Sequence, residues 1–338
     1  MISTKIRKLE LQNVWTISRN SSTCKENVFV KIEKAGITGC GEAAPNIRYG
    51  ETAQMTEKII HHASEALLKQ DLFKYTQVKE ILDELIVGQN CAKAALDIAV
   101  MDWVSKSLNK PLYKMLGLDA DKAPITSYSI GIDEIDMIKR KTMQAADYPV
   151  LKIKVGRHND EEIINAVRAV TDKPIRLDAN EGWKDKETAV RKIQWMMSRG
   201  VEFIEQPMPA EMLEETAWLK QRVDIPLIAD EAVLTSKEIP LLADAYDGIN
   251  IKLMKAGGIQ EALKMIRTAR AFNLKVMIGC MIESSMAITA AAHLSPLVDW
   301  ADLDGNLLIS NDPFSGVNVS QGRLILNDQP GIGVTGTW

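Results

Sequence analysis

Charged residues suited to acid–base and metal chemistry stand at the ends of short apolar runs in the middle of the chain. The set comprises Lys152, Lys154, Asp178, Glu205, Asp230 and Lys252. Successive acids are 27 and 25 residues apart, and 22 residues separate the last acid from the final lysine. Carboxylate oxygens are the ligands that Mg²⁺ prefers, and a lysine amine can act as a general base. These residues therefore indicate metal-assisted proton transfer, provided that the fold brings them together.

The separation of these residues is typical of one strand plus one helix. After Pro124 the sequence alternates regularly between strand-like and helix-like stretches, which predicts parallel βαβ units. Eight strands are predicted, at residues 125–131, 150–156, 175–180, 203–207, 226–231, 248–253, 275–280 and 300–305. Their number and spacing favour an α/β fold of the compact barrel type, whose active site lies at the carboxyl ends of the strands. A Rossmann-type sheet is the alternative, but no G-x-G-x-x-G motif opens the first unit.

This barrel would place lysines on opposite sides of its mouth. Lys152 and Lys154 are on predicted strand 2 and point to the same face, because side chains alternate along a strand. Lys252 is on strand 6, which faces strand 2 in a closed ring of eight, and the acids are on the strands between them. Ammonium groups crowded near a divalent cation should have lowered pKa values, which would provide a neutral lysine base. A carboxylate bound to Mg²⁺ can then become an ene-diolate when its α-proton leaves.

Each of these signals also has a structural explanation. A lone Lys-Ile-Lys sequence is usually a solvated strand edge, and an aspartate at a strand end often caps the following helix. Acids on three consecutive strands, flanked by lysines on opposed strands, are not expected from such roles alone. The complete set therefore favours a catalytic site.

The composition argues against several other classes of function. The 338 residues carry 41 basic and 45 acidic side chains, so no overall positive field attracts nucleic acid. The four cysteines form no C-x-x-C pair and the four histidines form no cluster, which argues against zinc sites and disulfide frameworks. The first residues lack the apolar run of a signal peptide, and no stretch is apolar enough to span a membrane. We expect a folded protein in a reducing cytoplasm, without nucleic-acid or membrane partners.

The chain on either side of the predicted barrel follows other patterns. Residues 1 to about 50 alternate apolar and polar side chains, which predicts antiparallel strands, with turn signals at Gly36 and at Gly39-Cys40-Gly41. Residues 51–117 have helical periodicity, and strand and turn patterns return from about Asp312. We predict an α+β domain at 1–122, the barrel at 123–311, and a C-terminal segment at 312–338 that packs back on the first domain.

Five motifs of the predicted barrel resemble the enolase superfamily, in its muconate lactonizing enzyme-like subgroup. They are LKIKVG at 151–156, RLDAN at 176–180, IEQP at 204–207, ADE at 229–231 and NIKLMKAGGI at 250–259. Residues 94–117 also resemble the segment that joins the capping domain of that family to its barrel. The resemblance implies a (β/α)7β modified TIM barrel with an α+β capping domain.

Within this subgroup the chain resembles the dipeptide epimerases. Asp302 and Asp304 match the D-x-D sequence that holds the α-ammonium group of the substrate in that family. Arg19 matches an arginine that pairs with a glutamate side chain of the substrate, and paired aspartates and an arginine suit these two charges. The resemblance also implies that Met281 and Ile282 contact the substrate. The residues expected to support the metal and substrate ligands from behind are Asn180, Glu231 and Glu283.

The resemblance implies an isomerase that epimerises the C-terminal residue of L-Ala-D/L-Glu or a related Xaa-Glu dipeptide, through an ene-diolate, in murein peptide metabolism. One Mg²⁺ per subunit would be held by Asp178, Glu205 and Asp230. Lys154 and Lys252 would transfer the proton, and Lys152 would stabilise the anion. The expected partners are a small dipeptide and further copies of the chain. Alternatives are an o-succinylbenzoate synthase or cycloisomerase of the same subgroup, and a catalytically idle peptide-binding barrel.

Two departures from the family pattern leave the preferred N-terminal residue of the dipeptide open. Cys280 stands where a small polar residue is expected in an enzyme acting on Ala-Glu. Arg48 and Tyr49 replace apolar residues in the second loop of the predicted capping domain.

Overall fold

The computed structural model describes residues 1–338 and begins with a three-stranded antiparallel sheet. Its strands are β1 (Ile2–Thr16), β2 (Ser21–Lys34) and β3 (Ile37–Ala43), hydrogen-bonded in that order. Four helices follow, namely α1 (Ala53–Leu68), α2 (Tyr75–Leu85), α3 (Asn90–Ser107) and α4 (Leu112–Met115). The alternation of the first strands and the helical periodicity after them therefore produce the predicted α+β capping domain.

The turn predicted at Gly39-Cys40-Gly41 is wrong, because these residues lie inside β3. The two glycines are needed for close packing rather than for chain reversal. A Cβ atom on Gly39 would lie 2.1 Å from the carbonyl oxygen of Ala99, and one on Gly41 would lie 2.0 Å from that of Ala95. Both alanines belong to α3, so this helix rests directly on the backbone of β3.

Eight parallel strands form the barrel, in the same order in space as in the sequence. They are β4 (Tyr128–Ile130), β5 (Leu151–Lys154), β6 (Ile175–Asp178), β7 (Val201–Glu205), β8 (Leu227–Ala229), β9 (Gly248–Lys252), β10 (Lys275–Gly279) and β11 (Trp300–Asp302). A parallel bridge between Thr126 and Ala301 joins the residue stretch before β4 to β11 and closes the ring. The predicted barrel is thus confirmed, and β5 and β9 are four positions apart in it.

Helices connect the successive strands of the barrel. They are α5 (Ile135–Gln144), α6 (Asp160–Arg168), α7 (Lys186–Met197), α8 (Leu213–Lys220), α9 (Ile239–Leu242), α10 (Leu253–Ala256), α11 (Ile259–Ala271) and α12 (Ser285–Ala292). Two of them begin at a capping side chain: Asp185 accepts a hydrogen bond from the Thr188 amide at the start of α7, and Ser284 accepts one at the start of α12. No helix in the protein combines the length and the apolar character that crossing a membrane requires.

The barrel strands end earlier than predicted. β8 ends at Ala229 and β11 ends at Asp302, so that Asp230 and Asp304 lie in the loops that follow these strands. The Asp230 amide donates to the side-chain oxygen of Gln206 at 2.9 Å, in place of a partner on a neighbouring strand. Side-chain hydrogen bonds therefore fix the backbone where the sheet stops.

The interior of the barrel is filled below its mouth. Phe203, Ile228 and Met277 are completely buried and pack with Trp300, and the rings of Phe203 and Trp300 are 5.0 Å apart. Small barrels of eight strands are generally filled by side chains in this way. Polar chemistry is therefore confined to the end of the barrel where the strands finish, beneath the capping domain.

A buried carboxylate of the capping domain joins it to the barrel. Glu42 on β3 accepts hydrogen bonds from the amide and hydroxyl of Ser284 at 2.9 and 2.5 Å, and from the Ala287 amide at 3.1 Å. Asn27 on β2 donates to Glu42 at 2.7 Å and to the Ile282 carbonyl at 3.1 Å. Burial raises the pKa of Glu42, although the hydrogen bonds from Ser284 oppose this effect. The capping sheet is thus bonded to the loop that follows β10.

The last residues return to the capping domain. They form the short strands β12 (Phe314–Ser315), β13 (Asn318–Ser320), β14 (Arg323–Ile325) and β15 (Thr335–Gly336). The rings of Phe314 and Phe29 are 5.2 Å apart, and the ammonium group of Lys31 lies 4.4 Å from the centre of the Trp338 ring. These contacts support the division at 1–122, 123–311 and 312–338, which we propose for the chain.

Candidate active site

Three buried carboxylates meet at the mouth of the barrel. Asp178 and Glu205 are the last residues of β6 and β7, and Asp230 directly follows β8. One oxygen atom from each residue lies within 4.8 Å of those from the other two. The regular spacing of these acids along the chain therefore becomes a spacing around the ring of strands.

Two lysines of β5 contact these carboxylates. The Nζ atom of Lys152 is 2.6 Å from Glu205 Oε2 and 3.1 Å from Asp178 Oδ2. The Nζ atom of Lys154 is 2.5 Å from Asp178 Oδ2 and 5.9 Å from the centre of the Trp15 ring, which belongs to the capping domain. Lys154 therefore stands between the carboxylates and the capping domain.

Two further lysines bind Asp230 from the other side of the ring. The Nζ atom of Lys252 is 2.7 Å from Asp230 Oδ2, and that of Lys255 is 2.5 Å from Asp230 Oδ1. Lys255 is buried and also donates to the carbonyl groups of Val233 and Asn250, at 3.0 and 3.2 Å. Lys255 thus fixes the carboxylate of Asp230, whereas Lys252 lines a cavity and is available to a ligand.

The surrounding carboxylates raise the pKa values of two of these lysines, Lys152 and Lys252. Burial disfavours the charge on Lys152, but the surrounding carboxylates, Asp302 foremost, outweigh burial and raise its pKa. Burial also disfavours the charge on Lys252, and Asp230 outweighs it in the same way. The carboxylates by themselves thus favour the charged lysines, and the predicted lowering beside a bound divalent cation stays a prediction.

The same charges separate the pKa values of the acids. Burial favours protonation of Asp178, but Lys154 and Lys152 outweigh burial and hold its pKa below the usual value. Burial together with the neighbouring charge of Asp178 raises the pKa of Glu205 to about 8. The lysines therefore offset the cost of burying the negative charge more completely for Asp178 than for Glu205.

The carboxylates fit a magnesium ion. Glu205 Oε2 is buried, and although Lys152 Nζ lies 2.6 Å away, this oxygen receives no hydrogen bond of acceptable angle. Asn180 Oδ1 and Glu231 Oε2, close by, are also buried without a hydrogen-bond partner. Open oxygen acceptors of this kind suit a hard cation and the water molecules that it retains. The residues that would hold Mg²⁺ are Asp178, Glu205 and Asp230.

Asn180 and Glu231 are bonded to each other beside these acids. The Asn180 side-chain amide donates to Glu231 Oε1 at 3.1 Å, and its backbone amide donates to Asp178 Oδ1 at 2.9 Å. Both predicted supporting residues therefore lie next to the carboxylates.

A cavity of about 420 Å³ lies between the barrel mouth and the capping domain. Its barrel side includes Lys152, Lys154, Asp230, Lys252, Asp302 and Asp304. Its capping side includes Trp15, Arg19, Arg48 and Tyr49. Asp178 and Glu205 do not line the cavity, so a ligand would meet Asp230 and the lysines first.

Asp302, the last residue of β11, and Asp304, two residues later, differ in the contacts that they already make with the protein. Asp302 Oδ2 is 2.6 Å from Lys152 Nζ, and Asp302 Oδ1 accepts a hydrogen bond from the Ser127 hydroxyl at 2.7 Å. Asp304 accepts a hydrogen bond from the Ser129 amide at 2.6 Å. Burial, together with the charge of Asp302, raises the pKa of Asp304 to about 7. Of the two, Asp304 has the greater capacity to bind a ligand cation.

Arg19 reaches from the connection between β1 and β2 to the barrel. Its Nη1 atom donates to the Asn180 carbonyl at 2.8 Å and to Glu181 at 2.7 Å, and its Nη2 atom donates to Glu231 at 2.6 Å. The side chain is 30% exposed and lines the cavity. Arg19 therefore contacts carboxylates of the barrel itself, whereas the sequence analysis predicted that it contacts a carboxylate of the substrate.

The loop after β10 supplies another part of the cavity wall. Cys280, Met281 and Ile282 line it. Glu283 is buried and accepts a hydrogen bond from the Met281 amide at 2.7 Å, without contacting the three metal-binding candidates. Glu283 therefore supports the backbone of the cavity-lining loop and does not support the metal site.

The role of Lys255 and the pairing of Arg48 with Glu181 were not predicted from the sequence. Lys255 lies three positions after Lys252, and this Lys-x-x-Lys spacing at the start of a helix is a signal that could have identified it. Arg48 pairs with Glu181, from which it is separated by 133 residues. No local sequence pattern indicates the pair of Arg48 and Glu181, because the two residues belong to different domains.

Two family models match the chain. The model for the mandelate racemase/muconate lactonizing enzyme N-terminal domain matches residues 1–117. The model for the enolase C-terminal domain-like family matches residues 136–337. Together the two matches include the capping sheet, the candidate metal ligands and all four lysines.

Relatives with described activities are similar over nearly the whole chain. An L-Ala-D/L-Glu epimerase from Bacteroides thetaiotaomicron is 46% identical, over 97% of this chain and 85% of the relative. A dipeptide epimerase from Cytophaga hutchinsonii, complexed with Mg and D-Ala-L-Val, has a TM-score of 0.95 at 28% identity and covers 99% of this chain and 95% of its own. An N-succinyl Arg/Lys racemase from Bacillus cereus has the same TM-score and coverage at 29% identity. Relatives with different substrates therefore share this fold.

Proposed function

Because this chain belongs to the dipeptide epimerases of the enolase superfamily, we propose that it epimerises L-Ala-D/L-Glu or a related Xaa-Glu dipeptide at the C-terminal residue. The enzyme is an isomerase, and its cofactor is Mg²⁺. One observation carries the proposal: Lys154 and Lys252 stand on opposite strands of the ring, each beside a candidate metal ligand. Inversion by proton transfer needs a base on each face of the reacting carbon.

The lysines would perform the proton transfer. When bound by Asp178, Glu205 and Asp230, Mg²⁺ would lower the lysine pKa values and stabilise negative charge on the substrate carboxylate. Lys154 Nζ would remove the α-proton from one face and Lys252 Nζ would return a proton to the other face, or the reverse for the other stereoisomer. Lys152, in the charged form that the carboxylates favour, would donate a hydrogen bond to the developing anion.

The remaining polar residues of the cavity would select a dipeptide. Asp304, assisted by Asp302, would bind the N-terminal ammonium group, and Arg19 would bind the glutamate side chain. Met281 and Ile282 would contact the N-terminal residue. A cycloisomerase or an o-succinylbenzoate synthase has no use for an ammonium site, so this part of the cavity argues against the same-subgroup alternatives.

Exchange with solvent tests the proposed reaction. Incubated with Mg²⁺ and L-Ala-D-Glu in D₂O, the enzyme should incorporate deuterium at the α-position of glutamate and produce the second diastereomer, both followed by proton NMR. The matched control substrate is N-acetyl-L-Ala-D-Glu, which lacks the ammonium group and should exchange far more slowly. Absence of deuterium from the free dipeptide at any reasonable enzyme concentration would contradict the proposal.

Asp304 should make dipeptide binding depend on pH. Burial and Asp302 raise its pKa to about 7, so the charge that attracts an ammonium group is present above that pH and is lost as the pH falls through it. The KM for L-Ala-D-Glu should therefore rise by about tenfold for each pH unit below the pKa. KM values measured across this range for the wild type and for Asp304→Asn check the prediction. If the variant keeps the wild-type pH profile, another group is responsible.

We further propose a place for the reaction in murein peptide metabolism in a reducing cytoplasm. The activity of the relative from Bacteroides thetaiotaomicron and the absence of disulfides among the four cysteines support this setting. We propose a homo-oligomer, with no nucleic-acid or membrane partner. Size-exclusion chromatography with light scattering would measure the number of subunits.

A further inference from the structure

Two arginines of the capping domain and two glutamates of the barrel form a cluster at one end of the cavity. The members of this arginine–glutamate cluster are Arg19, Arg48, Glu181 and Glu231. Arg48 belongs to a short 3-10 helix, Ile47–Tyr49, and its side chain is 39% exposed, whereas those of Glu181 and Glu231 are 8% and 2% exposed. The mechanism proposed above assigns no role to Arg48.

Glu181 is the centre of the cluster. Arg48 donates to it through Nε at 3.1 Å and through Nη2 at 2.9 Å, which is a two-pronged pair. Arg19 donates to it at 2.7 Å, and the Ala210 amide donates at 3.0 Å. The acceptor capacity of Glu181 is therefore shared between two arginines and one backbone group.

Arg19 retains donors that these contacts do not use. A guanidinium group has five N–H donors. Arg19 uses three of them, on the Asn180 carbonyl, Glu181 and Glu231. Two donors remain for a further acceptor, so Arg19 can bind a ligand carboxylate without leaving its protein partners.

The net charge of the cluster decides whether binding of a further carboxylate is electrostatically favourable. With both glutamates ionised, the two arginines make the cluster neutral, and without Arg48 its formal charge would be −1. Arg48 adds one positive charge whichever protonation state Glu231 adopts. A buried negative charge beside Arg19 would repel an anionic side chain entering the cavity.

We infer that Arg48 is a specificity-determining residue: by neutralising Glu181, it allows Arg19 to accept an anionic side chain at the C-terminal residue of the dipeptide. This inference rests on the proposed function, because it concerns the same cavity and the same substrates. The substrate class that it predicts is a dipeptide whose C-terminal residue is acidic, preferred over its neutral amide analogue of equal shape.

The test compares L-Ala-L-Glu with L-Ala-L-Gln, which differ in charge but hardly in shape. The kcat/KM of each dipeptide is measured by α-proton exchange for the wild type and for Arg48→Met. The ratio of the Glu to the Gln value should fall by about tenfold or more in the variant, mainly through KM for the acidic dipeptide. The Gln value should change little, which a general loss of folding would not reproduce.

Two further variants separate charge balance from other effects. In Arg48→Met combined with Glu181→Gln, the repelling charge is also removed, and the ratio should return close to the wild-type value. Arg7→Met is the matched control, because Arg7 lies on β1 of the same domain and donates to the Thr337 carbonyl outside the cavity. It should leave the ratio unchanged.

The outcomes distinguish the two levels of the hypothesis. An unchanged ratio in Arg48→Met, or a double variant that stays as low as the single one, would overturn the role of Arg48 and leave the epimerase reaction intact. A wild-type enzyme that exchanges neither dipeptide would overturn the proposed function and the inference with it.

Discussion

Replacing Lys252 with alanine should reduce epimerisation about 10²–10⁴-fold, the contribution typical of a positioned general base. Its Nζ atom lies 2.7 Å from Asp230 Oδ2 and lines the cavity, opposite Lys154 on β5. Without Lys252, no other group in this position can give a proton to its face of the substrate. Lys154→Ala should have a similar effect for the other face. An idle peptide-binding barrel would lose only a little affinity in either variant.

The two lysine variants should also differ in which diastereomer of the dipeptide they exchange with solvent. Each retains one base, which can remove and return a proton on its own face, so each should exchange the α-proton of only one diastereomer in D₂O. Proton NMR of L-Ala-L-Glu and L-Ala-D-Glu with each variant gives the result. Lys192→Ala is a suitable control, because Lys192 does not line the cavity and its Nζ atom pairs with Asp160 Oδ2 at a distance of 2.6 Å. Exchange of both diastereomers by either variant would exclude a mechanism with one base on each face.

Glu205→Gln should weaken Mg²⁺ binding by more than about 100-fold, because changes to residues that merely support a metal ligand already cost about 10–100-fold. The substitution keeps the shape of a completely buried side chain and replaces its charge. Asn250 can still donate to the remaining oxygen, as it does to Oε1 at 2.7 Å in the wild type. Epimerisation should be lost together with the metal.

Metal affinity can be measured independently of catalysis. Isothermal titration with Mg²⁺ gives the dissociation constant, and the melting temperature should rise with Mg²⁺ for the wild type but not for Glu205→Gln. Glu202→Gln, on the same strand, is the matched control, since Glu202 pairs with Arg176 at 2.9 Å and not with the candidate metal site. Wild-type Mg²⁺ affinity in Glu205→Gln would mean that the ion binds elsewhere.

The barrel and the grouping of its acids were predictable from the sequence for a physical reason. Parallel strands joined by helices all finish at one edge, so charged residues at the ends of apolar runs must converge there. Asp178, Glu205 and Asp230 meet for this reason, and the placement of Lys154 and Lys252 follows from counting strands around the ring.

Features that depend on contact between the two domains were not predictable in this way. The glycines of β3 resemble a turn until α3 is known to rest on them. The pair of Arg48 and Glu181 joins residues whose local sequences carry no sign of each other. The raised pKa values of Lys152 and Lys252 require the number and the distances of surrounding carboxylates, which strand order alone does not provide.

The hydrogen bonds of Glu42 set a condition for engineering this enzyme by recombination. Because Glu42 and Asn27 bind the Ser284 and Ile282 backbone, the loop that lines the cavity takes its shape partly from the other domain. A chimera that joins a foreign capping domain to this barrel would leave the Ser284 amide without its acceptor and the Ile282 carbonyl without its donor, unless the foreign domain also carries Glu42 and Asn27. Transplanting substrate preference therefore means exchanging the loop and the capping sheet as one unit.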